Sequence, residues 1–160
     1  MNVDQLFADF PDNSRVWLYQ TDRALNDSEI ETVNSELNAF VKEWAAHGNK
    51  LWANAAVINP YFVVIAVNDK LTPPSGCSID ASVRKLKDLG KKLNADFFTR
   101  MKVTIQTEKD TAQIPFTELA NRSDLEEISI FDPLVSTLGE LRSNWPLKIQ
   151  ESSFKQFVNS

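Results

Sequence analysis

The sequence predicts a mixed α+β domain built on an antiparallel sheet, and three features carry the prediction. Four segments rich in β-branched and aromatic residues lie at 15–20, 51–58, 61–67 and 102–107. Two longer segments, at 30–44 and from about 78 to 93, repeat apolar residues at helical spacing. Their order along the chain is β-α-β-β-α-β, with each helix between strands that an antiparallel sheet can accommodate.

The first strand, Arg15-Val16-Trp17-Leu18-Tyr19-Gln20, carries large β-formers on both of its faces, which predicts burial on both sides. Asn26 with Glu29 has capping-box spacing, and Leu25 with Ile30 has that of a hydrophobic staple, so a helix begins there. Ile30, Val33, Leu37, Phe40, Val41 and Trp44 form its apolar stripe, and Gly48 is expected to stop it in a left-handed conformation. Asn59-Pro60 separates the next two strands as a tight turn. The second of them, 61–67, is nearly all apolar and is expected in the sheet interior. Trp52 begins the other, an expected edge strand on which its ring is available to a partner.

Pro73 and Pro74 break the chain before the second helix, whose stripe is Ile79, Val83, Leu86, Leu89 and Leu93. Ser78 is expected to cap that helix, with Asp80 in its first turn complementing the dipole. The 102–107 segment alternates strictly and is expected at a sheet edge with one solvated face. The resulting expectation is a ferredoxin-like sheet in the spatial order fourth-first-third-second strand, with both helices on one face. The domain is expected to be single, with a core over 12–108 and an extension over 109–160 that packs on it. Within the extension, a return strand near Gln113, a short helix after Pro115, a strand near 128–131 and a Thr137/Glu140-capped helix ending near Trp145 are expected.

Composition narrows the function classes. The net charge is -5, which works against a general phosphate-backbone binder. Arg84, Lys85, Lys87, Lys91 and Lys92 crowd the second helix, and they read as its solvent face rather than as a nucleic-acid surface. One cysteine, Cys77, and one histidine, His47, are too few for a zinc site and exclude an internal disulfide. No metal and no cofactor is expected. The longest apolar run is too short to cross a bilayer, and a cytoplasmic location is expected.

Several segments together carry a family resemblance: the first strand, Trp44-Ala45-Ala46-His47-Gly48, Ser75-Gly76-Cys77-Ser78-Ile79-Asp80, Phe97-Phe98-Thr99-Arg100, and the stretch from Leu134 to Thr137. The chain resembles a family of short bacterial proteins that often carry the label "ABC transporter ATPase". The resemblance implies no established activity, and the label fails on chemistry. A P-loop needs G-x-x-x-x-G-K-[ST] to wrap phosphates in backbone amides. Of Gly48, Gly76, Gly90 and Gly139, only Gly90 precedes a lysine, Lys92 stands in place of the hydroxyl residue, and Lys85 stands in place of the first glycine.

Two functional readings remain open. In the first, the chain is a binding module for a small ligand or a protein, using Ser75, Gly76, Ser78 and Asp80 with Trp44 and Arg100. The 75–80 loop enters a helix, where free amides and the dipole favour an anion. In the second, Cys77 is a nucleophile and His47 its base, the helix start favouring a thiolate. Topology places the end of the first helix and the start of the second at one edge of the sheet, so His47 and Cys77 are expected to share that edge.

Overall fold

The computed structural model describes residues 3–46, 48–70 and 72–158. It is mixed α and β, with antiparallel sheets. β1 (Arg15–Gln20), β4 (Trp52–Ile58) and β5 (Phe62–Asn68) form the first sheet, in the order β1-β5-β4. Between β1 and β4 come α1 (Asp27–Glu43) and a two-rung hairpin of β2 (Ala45–Ala46) and β3 (Asn49–Lys50). β5 is the central strand because every one of its residues is buried, on both faces.

The two faces are covered differently. Val63, Ile65 and Val67 of β5, with Ala55 and Val57 of β4, meet Val33, Leu37 and Val41 of α1 and Leu86 and Leu89 of α2 (Gly76–Leu93). The opposite face, with Val16, Leu18, Ile58, Phe62 and Val64, is covered by Leu6 and Phe10 from the N-terminal side. Phe131, Val135, Leu138, Leu141 and Trp145 cover the rest of it. Trp145 closes this layer by edge-on contacts with Phe62 and Phe131, at 5.0 and 4.8 Å between ring centroids, while its indole N–H donates to the Asp132 carbonyl.

A second sheet stands beside the first. β6 (Lys102–Gln106), β7 (Thr111–Pro115), β8 (Ser129–Ile130) and β9 (Leu147–Lys148) run in the order β7-β6-β8-β9. A 3-10 segment at Phe116–Asn121 follows β7, and α3 (Leu138–Asn144) is capped by Thr137, whose hydroxyl accepts from the Glu140 N–H. Val103, Ile105, Leu119, Ile128, Ile130 and Ile149 make a separate core for this sheet.

The ferredoxin-like strand order is therefore corrected. The first, third and second predicted strands are neighbours as expected, but the fourth does not pair with β1. It lies inside the second sheet, between β7 and β8, and its alternation does not mark a solvated face. Thr104 is fully buried and donates to the Gln20 side chain at 2.9 Å. The reason is packing: β6 gains ladder partners on both sides, while residues around Ser136 already occupy the start of the β1 edge.

Two helix boundaries also move. α1 ends at Glu43, with Trp44 extended, so Gly48 does not stop the helix. Its φ of +80° serves the turn of the β2–β3 hairpin instead. α2 begins two residues before the expected cap. Ser75 is the N-cap, and Ser78 is the third residue of a reciprocal capping box. Asp80 therefore sits in the second turn.

Candidate functional site

The end of α1 and the start of α2 do share one end of the domain. α1 runs from the Gln20 end of the sheet to the Arg15 end, and α2 runs back. The indole N–H of Trp44 donates to the Ser78 carbonyl at 2.8 Å, and this buried bond ties the two helix ends together. Trp44 is 4% exposed and packs on the Phe40 ring, so it is a core tether between the two helix ends.

The hydroxyls of the 75–80 loop are committed to the helix start. The Ser75 hydroxyl accepts from the Ser78 N–H at 3.1 Å. The Ser78 hydroxyl accepts from the Ser75 N–H and donates to the Ser75 carbonyl, both at 2.7 Å. Ser78 is buried, whereas Gly76, Cys77 and Asp80 are exposed. This cap leaves the Gly76 and Cys77 amides, the first two of the helix, outside its hydrogen bonds.

His47 lies outside the described residues. The neighbouring Ala46 pairs with Asn49 across the hairpin. Arg100 belongs elsewhere. It stands between Asp96, whose N–H is bound by the Asp22 carboxylate, and Lys102, whose carbonyl accepts from Gln20. Both anchors are at the opposite end of the sheet from Ser75, so Arg100 does not join the predicted ligand set.

Other features gather at the Ser75 end. Trp52 pairs with Asn68 at the bottom of the sheet, and Asn68 leads toward the 75–80 loop. Trp52 is 38% exposed, its ring meets Phe10 edge-on at 5.7 Å, and the residue lines an open hollow of about 360 Å³ with Val41, Lys42, Lys50, Leu51 and Ala53. The only signal for this hollow in the sequence is Trp52 on an expected edge strand; Lys42 and Lys50 carry none. The basic cluster of α2 is partly neutralised, since Lys85 and Lys92 both bind the Glu36 carboxylate, at 3.2 and 2.8 Å. Those two lysines hold the Glu36 carboxyl below its ordinary range.

Compared with family models, curated proteins and solved structures, the chain matches none. Among the described residues, no helix is long and apolar enough to cross a membrane.

Proposed function

We propose that the chain is a protein-binding module of the bacterial cytoplasm that receives its partner at the end where α1 stops and α2 starts. One observation carries this reading: the half-exposed Trp52 lies in an open hollow at the end of the domain that also presents Gly76, Cys77 and Asp80. Tryptophan is the residue most enriched at binding hot spots, and a shallow aromatic hollow suits a protein surface better than a small molecule. Ser75, Ser78 and Trp44 are already used to build the helix junction, which leaves little for catalysis.

A second reading keeps Cys77 as a nucleophile with His47 as its base. It is favoured by the Trp44–Ser78 bond, which brings the chain just before His47 to the helix that carries Cys77. One experiment separates the two. Cys77 is the single cysteine and is exposed, so a photo-crosslinker can be attached to it alone. The binding module predicts a discrete crosslinked partner that is lost in Trp52→Arg. An adduct indifferent to Trp52→Arg, or no adduct at all, contradicts it. A thiol reaction rate that falls in His47→Ala supports the enzyme instead.

A further inference from the structure

The outer edge of β1 is closed by backbone at its start and is open beyond it. At its start, Arg15 bridges Thr137 in antiparallel fashion. The Val16 N–H donates to the Ser136 carbonyl at 3.0 Å, and the Leu138 N–H donates to the Ser14 carbonyl at 2.9 Å. At its far end, the Gln20 side chain donates to the Lys102 carbonyl and accepts from Thr104.

Leu18 lies between the Ser136 strap and these side-chain contacts of Gln20. In an antiparallel ladder, residues that turn both peptide groups toward a neighbour alternate with residues that turn both away. Val16 turns away from β5, since its N–H is bonded to Ser136. Leu18, two residues on, must do the same. Register continued from the Arg15–Thr137 bridge would set Leu134 opposite Leu18. The chain diverges instead: the Leu134 N–H is taken by the Asp132 carboxylate at 3.0 Å, and the Leu134 side chain is 73% exposed. No hydrogen bond reaches the outward peptide groups of Leu18 among the described residues. The divergence opens a cleft of about 250 Å³ between β1 and the 133–136 segment.

We infer that this cleft binds an extended, carboxylate-bearing peptide segment of a partner protein, which adds a short strand to β1 at Leu18. An outward N–H and C=O on one edge residue form the donor–acceptor pair that another extended backbone matches. Arg15 supplies the charge preference. Its guanidinium lies 4.8 Å over the Trp17 ring at the mouth of the cleft, and no carboxylate pairs with it among the described residues. Leu134 offers an apolar rim. This surface is distinct from the Trp52 hollow, which lies on β4 at the other edge of the sheet.

The test is a titration of isotope-labelled protein, followed by its amide spectrum, with a blocked pentapeptide of alternating valine and glutamate. The expected result is saturable shifts at Leu18 and over 133–136. Loss of the backbone bond in a fully N-methylated peptide should weaken binding at least about tenfold, as should Arg15→Glu. Leu134→Glu, at an exposed position, should weaken it as well. Shifts that avoid Leu18, equal binding of the N-methylated peptide, or equal binding of a valine–lysine peptide would overturn the inference. So would a dimer in sedimentation that buries Leu18, because a second copy would then be the occupant.

Discussion

The two edges of the first sheet are finished by different means. On β4, side-chain amides close two successive outward N–H groups: the Asn34 side chain of α1 accepts from Val57 at 2.8 Å, and Asn54 accepts from Ala55 at 2.9 Å. On β1, a strap of backbone near Ser136 closes only the first rung and then leaves. An unpaired strand edge is a site where another chain can add, and proteins usually block it. Over Ala55 and Val57, β4 is blocked by polar groups that travel with its own sheet and helix. β1 depends on a segment that also has to reach the second sheet, and its middle is left open.

The contrast can be broken most severely at the strap. Leu138 is fully buried, and its N–H holds the Ser14 carbonyl. Leu138→Ala should cost ~2–5 kcal/mol in urea denaturation, as cavity-forming substitutions do. It should also raise the hydrogen-exchange rate of Val16. A stability change within experimental error would show that the strap is not what closes β1.

A smaller effect is expected on the opposite edge. Asn34→Ala removes the acceptor for the Val57 N–H, in a residue only 5% exposed. An unsatisfied buried donor costs ~1–3 kcal/mol. The variant should also self-associate more readily than the parent in sedimentation, because β4 would then resemble β1. If it self-associates no more than the parent and is as stable, the side-chain block is not needed.

The smallest effect sharpens the comparison through pH. The Arg23 guanidinium, bonded to both Glu29 oxygens, and the Asn26 N–H hold the Glu29 carboxyl at about 2, against an ordinary value of 4.5. Its contribution to the start of α1 is complete above the ordinary value and fades as pH falls from there through about 2. Because α1 carries Asn34, Val57 should lose protection in that acid window while Leu18 does not change. Glu29→Gln should abolish the difference in pH response. Parallel loss at both residues would mean that acid loosens the whole sheet.

How much of this was legible in the sequence depends on range. The Asn26/Glu29 capping box, the Thr137 cap and the interior position of β5 are local patterns, and they stand as read. The start of α2 was misplaced because Ser75 and Ser78 are both competent caps, and only the reciprocal bonds between them decide which one leads. β6 was misplaced for a different reason. Period-two alternation also fits a strand whose polar residue is buried against another polar residue, and Thr104 meets Gln20 across 84 positions of sequence. Asn34 gave no sign that its side chain closes a strand edge 23 residues away. In the candidate site, Trp52 was legible as an exposed edge aromatic. The sequence leaves Trp44 as either core or ligand contact, and the structure buries it with its indole N–H bonded to the Ser78 carbonyl.

The most direct measurement is residue-resolved hydrogen exchange on the free protein, comparing Leu18 with Val57. Both are buried residues in neighbouring ladders of one sheet, so burial alone predicts similar protection. An open β1 edge predicts that Leu18 exchanges at least about tenfold faster than Val57 and than its own neighbours Trp17 and Tyr19, whose N–H groups face β5. Equal protection of Leu18 and Val57 would mean that the β1 edge is already closed, and the peptide cleft would have no backbone to offer.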